Sequence, residues 1–306
     1  MVAALLLACA VSGCGYFPPC NRESARDSRE GTFIVTRTDR TRFRPLTVVE
    51  PQEERWRDIA DIPYRDEFRE SFDYHNSERH QAWVVWEDET STLEAPALSG
   101  TVNAVALKPW FAYQLKLVGA EDIAGPFERD NLASPEQWSS FQLGRVGRWW
   151  CEQCEWNIGD GDLRLHIQND HSVRGYVLFD WFVTDEQGNA EHHFALMSSL
   201  RVLWRVDQRE RSPKDTPPRW YDLRRTADFY PPSRVGEAHR CGMFGEWEPG
   251  RADLGEARLP PGTYSVKLNL TEETFHANLD EARELPGGGF WALVLESDIE
   301  FEVLSK

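Results

Sequence analysis

The chain has 306 residues, with 51 Asp+Glu against 34 Lys+Arg, a formal net charge of −17, 41% hydrophobic residues and 13 tryptophans. So much apolar surface excludes a solvated coil, and so acidic a surface is repelled by polyphosphate, which argues against nucleic acid as a partner. The length accommodates one large all-β domain or two smaller ones, either able to bury a core.

At the N-terminus, Val2 to Gly13 carries no charged residue. Its apolar core runs for about a dozen residues, whereas a spanning helix needs about 20. The length, and the small residues that end it, fit the apolar region and processing site of a signal peptide. The alternative is a buried strand, and strands rarely continue past about ten residues. Val11-Ser12-Gly13-Cys14 resembles the lipobox of prokaryotic lipoproteins. That resemblance implies cleavage before Cys14 and a diacylglyceryl group on its sulfur. It also implies an exported protein anchored to the cell membrane or outer membrane and facing away from the cytoplasm. Each buried acyl methylene contributes about 0.8 kcal/mol, so more than one chain gives a stable anchor. Residues 1–13 are the expected signal peptide, and residues 14–31, GYFPPCNRESARDSREG after Cys14, read as a polar, Pro-containing tether.

Beyond the tether the dominant period is two, the mark of half-buried strands. In chain order, strands are expected at Thr32 to Thr36, Ala82 to Trp86, Gly100 to Ala106 and Phe111 to Leu117. Further strands are expected at Tyr176 to Val183, Arg201 to Val206, Tyr264 to Leu270, Phe290 to Leu295 and Ile299 to Val303. Tyr176 to Val183 is apolar at both parities, which predicts a central strand covered on both sides. The turn-rich Thr184-Asp185-Glu186-Gln187-Gly188-Asn189 after it predicts a hairpin returning through His193-Phe194-Ala195-Leu196. Helical patterns are confined to short stretches at Glu53 to Ile59 and Asn278 to Glu284. Glu121 to Leu143 and Gln208 to Gly250 read as long loops or insertions. The expectation is an all-β protein, an immunoglobulin-like or jelly-roll-like antiparallel β-sandwich with long loop insertions and little helix. Residues 32–94 supply N-terminal strands packing on a main sandwich of residues 95–306.

Two segments sharpen this. Leu107-Lys108-Pro109-Trp110-Phe111-Ala112-Tyr113 has the Leu-x-Pro-x-x-x-Tyr spacing of a tyrosine corner and resembles fibronectin type III and immunoglobulin-like sandwiches. The resemblance implies that the Tyr hydroxyl returns to an upstream backbone group where the chain passes between sheets. Leu259-Pro260-Pro261-Gly262-Thr263-Tyr264 is similar to the turn of exported β-sandwich modules. The longer blocks GYVLFDWFVTDEQGNAEHHFALMSSLRVLW, from Gly175, and LNLTEETFH followed by GGGFWALVLESDIEFEV, from Leu268 to Val303, resemble exported, functionally uncharacterised prokaryotic proteins, a similarity that runs with gaps from Gly100 to Val303 and supplies no catalytic residues.

One constellation could carry chemistry. Cys151 and Cys154, with His166 and His171, form Cys-x2-Cys-x11-His-x4-His, one residue short of a two-Cys two-His zinc spacing. Against it, Leu163-Arg164-Leu165-His166-Ile167 alternates like a strand where a finger needs a helix. Outside the cytoplasm thiols tend to oxidise. Cys20, Cys151, Cys154 and Cys241 allow three pairings, and disulfides, non-ligating thiols or zinc all remain open. Asn157 to Asp162 reads as a Gly/Asp turn without the spacing of a calcium loop. Glu272 and Glu273, near His276, point to opposite faces of a strand and cannot flank one bond together, and His192 and His193 split in the same way. No nucleophile elbow, zincin, phosphate-loop or dinucleotide motif is present. Tryptophans near loops, Trp110, Trp138, Trp149, Trp150 and Trp156, are candidates for stacking on sugar rings, with core packing as the alternative.

The sequence therefore reads as a lipid-anchored extracytoplasmic β-sandwich protein of binding or structural type, without an evident catalytic role. Its expected contacts are the membrane through Cys14 and a glycan or an envelope protein, and no cofactor is expected unless the Cys/His group takes zinc. The alternatives are a carbohydrate-binding surface protein and a zinc-dependent or other hydrolase built on the Cys/His group.

Overall fold

The structure is a computed structural model that describes residues 41–49, 56–59, 63–75, 81–90, 96–123, 134–154, 156–159, 161–205, 221–229, 241–247, 257–273 and 291–305. The expected signal peptide and tether, with Cys14 and Cys20, the strand expected at Thr32 to Thr36 and the helix expected at Asn278 to Glu284 lie outside the described residues. Two sheets dominate. One has strand order β1 (Thr41–Pro45), β3 (Gln81–Glu87), β5 (Ser99–Val105) and β10 (Ala190–Ala195), antiparallel throughout.

The second, larger sheet runs in the order β12 (Tyr221–Phe229), β13 (Cys241–Trp247), β11 (Leu200–Arg205), β9 (Val173–Val183), β6 (Ala112–Gly119), β14 (Gly262–Glu273), β15 (Trp291–Val303) and β2 (Thr47–Val48). A short β4 (Glu89–Thr90) joins β15 in parallel. A hairpin of β7 (Arg148–Cys151) and β8 (Trp156–Ile158) attaches through β7 to β9. Three short helices, α1 (Asp66–Ser71), α2 (Pro135–Val146) and α3 (Leu163–Gln168), complete the described elements.

This is the all-β sandwich that the alternating periodicity predicts. Val84, Trp86 and Val102 of the small sheet and Leu115, Leu117, Val177, Leu268 and Leu270 of the large one belong to a single buried core. Strand β9 is covered on both faces as its unbroken apolar run requires. Val177 and Phe179 enter the main core, while Leu178 and Trp181 pack with Ile59, Ala112 and Leu200 in a second cluster. Residues 39–306 form one compact unit, and β1 and β3 are strands of the small sheet beside β5.

Four expectations are corrected. The turn 184–189 does not close a hairpin, because β9 pairs in the large sheet and β10 in the small one. Its turn chemistry is real: Asp185 Oδ1 accepts from the Gln187 and Asn189 amides at 2.8 Å. However, Leu107 N donates to Gly188 O at 2.9 Å, and this ties the loop to the β5–β6 corner and sends the chain across to the other layer. Residues 56–59 hold a bridge, Arg57 to Pro63, and a turn in place of helix. Within 208–250, β12 and β13 are strands.

The fourth correction is α2, which falls largely inside the stretch expected to be irregular. Ser134 caps it by accepting from Gln137 N at 3.1 Å, and Pro135 opens it, the sequence signature of a helix start. The helix lies against the large sheet. Ser139 Oγ accepts from Ser265 N at 3.0 Å and Ser140 Oγ from Gly175 N at 3.0 Å. A Cβ on Gly175 would collide with the backbone of Ser140 and Gly144, so this crossing needs a glycine.

Both tyrosine turns behave as their spacing predicts. Tyr264 OH donates to Pro260 O at 2.7 Å, and Tyr113 OH accepts from Lys108 N at 3.1 Å. The second is part of a larger arrangement. Lys108 and Glu272 are both 0% exposed, with Nζ 2.6 Å from Oε1. Tyr74 OH donates to the same Oε1 and lies 2.8 Å from Tyr113 OH. Each hydroxyl has one proton, and that of Tyr74 is committed to Glu272, so Tyr113 donates to Tyr74. The bonds close a ring from the Lys108 amide through two hydroxyls and one carboxylate to the Lys108 ammonium. The ammonium lies 4.1 Å from the Trp56 ring centre, with Phe72, Tyr74 and Phe111 also around it, a cation–π setting strengthened by the complete burial of the Lys108 side chain. Burial, reinforced by the Glu272 charge, raises the pKa of both Tyr74 and Tyr113, so both hydroxyls keep the protons that the ring uses.

Removing one member leaves a charge in the core without its counter-charge, whereas removing both removes the need for either. Glu272→Ala is therefore expected to destabilise the protein by about 3–5 kcal/mol. The double variant Lys108→Met/Glu272→Leu is expected to recover a large part of that loss. Urea unfolding of the single and double variants measures both.

Candidate metal centre

Cys151 ends β7, residues 152–154 turn the chain, and β8 returns beside it with Trp149 opposite Ile158. Helix α3 follows, correcting the strand expected at Leu163 to Ile167. The true period is four: Leu163 and Ile167 are buried on one side and Leu165 is 57% exposed, as an i, i+4 apolar pair on a surface helix demands. Hairpin and helix together give the ββα layout in which two-Cys two-His sites are built.

The end of α3 brings the histidines together. Asp170 has φ of 58°, the left-handed conformation. Its amide donates to Ile167 O at 3.1 Å and the His171 amide donates to His166 O at 3.0 Å. This is the Schellman pattern, in which the second residue past the cap commonly touches the third residue from the helix end. Here that touching pair is His171 and His166, with ring centres 5.1 Å apart. The x4 spacing of the motif is thus the spacing at which this helix stop closes.

All four side chains converge. The Nδ1 atoms of His166 and His171 are 2.9 Å apart. Cys154 Sγ lies 3.3 Å and 3.6 Å from them, and Cys151 Sγ lies 3.8 Å from each. The four ligand atoms fall within 4.8 Å of one another, a group that could hold a metal ion. Among the described residues no other cluster of three or more His, Cys, Asp or Glu does so. The two cysteines are also joined as a disulfide, with Cα atoms 5.2 Å apart.

The cluster rests on a small core of its own, containing Ile123, Phe141, Trp149, Ile158, Leu163, Ile167 and Val173. Polar contacts fasten its rim. Ser172 N donates to Gln153 Oε1 at 2.7 Å, and Glu152 N donates to Ser172 O at 3.1 Å. Ser172 Oγ donates to Asp122, which also pairs with Arg174 at 2.7 Å. Cys151 is fully buried and Cys154 is 9% exposed, while the two histidines are half-buried.

The other candidates are dispersed. Cys241 opens β13 opposite Phe229. Trp149 is 1% exposed and packs on Phe141 and against Gly144, which corrects its reading as a stacking platform: its faces are occupied. Trp138 leans on Tyr264, at 4.9 Å between ring centres, Trp110 borders the second cluster, and the Trp150 indole donates to Glu152 Oε2 at 2.8 Å. Trp156 lies in β8. The ring nitrogen of His192 is 3.3 Å from Asp180, whereas His193 meets Thr101. Glu272 belongs to the buried ring of Lys108. Sequence reasoning missed the helix stop at Asn169-Asp170 and the Asp122–Ser172–Gln153 fastening; an Asn-Asp pair just after a four-spaced apolar pair was the available signal.

Compared with known proteins, the chain matches no family model, no curated protein and no solved structure.

A left-handed Asp stores strain that glycine lacks. Asp170→Gly is expected to raise stability by about 0.5–1 kcal/mol with the histidine pair intact, relief of a left-handed cost of about 1–2 kcal/mol less the chain-entropy cost of glycine of about 0.5–1 kcal/mol. Asp170→Val, β-branched and unable to hold that conformation, is expected to separate His171 from His166. Thermal unfolding and the His ring cross-peaks in an NMR spectrum check both.

Proposed function

We propose that the protein is a lipid-anchored, extracytoplasmic β-sandwich of binding or structural type, and that its two-Cys two-His group holds one zinc ion. The zinc reading is carried by the convergence of the four ligand atoms within 4.8 Å. With Zn–S of about 2.3 Å and Zn–N of about 2.0 Å, a regular tetrahedron has S–N edges of about 3.5 Å and an N–N edge of about 3.3 Å. The S–N separations here are 3.3 to 3.8 Å and the N–N separation is 2.9 Å, while the two sulfurs are bonded to each other and would have to part to about 3.8 Å in the zinc form. Two thiolates with two imidazoles on a tetrahedral frame suit zinc.

Four protein ligands leave no position for water, so such an ion clasps structure and is not a catalyst. That favours a binding or structural protein over a zinc hydrolase. The clasp would hold the β7–β8 hairpin to α3, adding to the apolar packing of Trp149, Ile158, Leu163 and Ile167 that already joins them. The anchor reading rests on Val11-Ser12-Gly13-Cys14 and on the polar tether after it. Among the described residues no helix is long and apolar enough to cross a membrane. Sugar stacking draws no support from Trp149, which is enclosed, or from Trp138, which packs on Tyr264.

Protein purified and reduced under anaerobic conditions is expected to contain one zinc per chain by elemental analysis, and Cys154→Ser or His171→Asn to contain none. Zinc absent from the reduced wild-type protein would refute the clasp. Separately, Cys14→Ala is expected to move the protein from the membrane fraction to the soluble fraction, and unchanged partitioning would refute the anchor.

A further inference from the structure

We infer that the Cys/His group is a redox-gated metal site, in which formation of the Cys151–Cys154 disulfide expels the ion while leaving the knuckle folded. The inference rests on the zinc reading above and adds its regulation. Two observations carry it. The same two sulfurs that complete the metal group are joined as a disulfide, and both histidine nitrogens remain gathered around that disulfide, at 3.3 to 3.8 Å from the sulfurs.

A metal needs both sulfurs as thiolates, and a disulfide removes both negative charges at once. The two states therefore exclude each other. The backbone accommodates either: a Cα–Cα separation of 5.2 Å lies within the disulfide range of about 4.4–6.8 Å, and a Cys-x2-Cys turn is also a metal-ligand spacing. The rest of the knuckle does not depend on the choice. β7 stays paired with β9 from Arg148 to Cys151, and Trp149, Ile158, Leu163 and Ile167 stay packed in their own cluster.

Access is unequal. Cys154 is 9% exposed and Cys151 is 0% exposed, so Cys154 is the sulfur an oxidant reaches. With a small disulfide as the oxidant, the Cys154 thiolate attacks one of its sulfurs, forming a mixed disulfide and expelling one thiolate. The Cys151 thiolate then attacks Cys154 Sγ and expels the second. Two electrons pass from the protein thiolates to the small disulfide, its S–S bond breaks as the protein's forms, and the divalent ion leaves, having lost two anionic ligands. An exported protein meets oxidising conditions, so the ion is retained only as long as it shields the thiolates.

The test uses the full chain, reduced and loaded with zinc, titrated with oxidised glutathione in the presence of a chromogenic zinc chelator. Mass spectrometry counts the thiols, and far-ultraviolet circular dichroism follows the fold. The expected result is one zinc released per disulfide formed between Cys151 and Cys154, an unchanged spectrum, and rebinding after reduction. His171→Asn is expected to form the same disulfide while binding no zinc. Zinc that stays bound as the thiols disappear, or that leaves while they remain, would overturn the gate and leave the clasp standing. Loss of the spectrum on oxidation would overturn the claim that the knuckle persists. A reduced protein that never takes zinc would overturn both readings.

Discussion

The closed ring around Lys108 is the constraint on which the sandwich turns. A single side chain and its own amide are bound at both ends of one circuit through Tyr113, Tyr74 and Glu272. The participants come from four places: the segment after α1, the β5–β6 corner, β6 and β14. None of these is close in sequence to more than one other, so the circuit can close only when the layers have met in a single register. An apolar core of the same volume could cohere just as strongly, because burying charge costs what the pair returns. What the ring adds is uniqueness, since a slip of one residue in β14 would turn Glu272 to the opposite face.

The second centre of order, the knuckle, is built on a different principle. Its core of nine buried residues is small, and its closing contacts are sulfur and imidazole. Helix α3 is six residues long, under two turns, and its stop determines where His171 goes. The geometry of the ligands is therefore set by backbone hydrogen bonds made before any ion or disulfide is considered. The fastening of Ser172 to Asp122 and to the Gln153 turn then fixes the hairpin beside the start of β9.

Much of this was legible from residues alone. Strands β6, β9 and β14 follow from two-residue alternation or unbroken apolar runs, and the tyrosine turns follow from the spacing of Pro and Tyr. The four metal-group residues were visible as types and spacings. What hid the site was α3: in Leu163 to Ile167 apolar residues fall at every second position, and three alternating residues are compatible with either period until Leu165 is known to face solvent. The β9–β10 connection departs from the expected hairpin because a good turn fixes local geometry and says nothing about which sheet receives the chain. The partners of Lys108 could not be read at all, because Tyr74 and Glu272 are joined only by the fold.

Strand β15 begins at Trp291, yet its neighbours in the sheet include β2, which ends at Val48, and β4, which ends at Thr90. The early strands therefore have an unpaired border until the distant one arrives. A chain emerging from a ribosome or a translocation channel with its N-terminus first cannot finish this sheet piecemeal; the large layer stays open to other partners until β15 has emerged. Such long-range closure slows folding, and it gives anything that must handle the chain unfolded a window in which to do so.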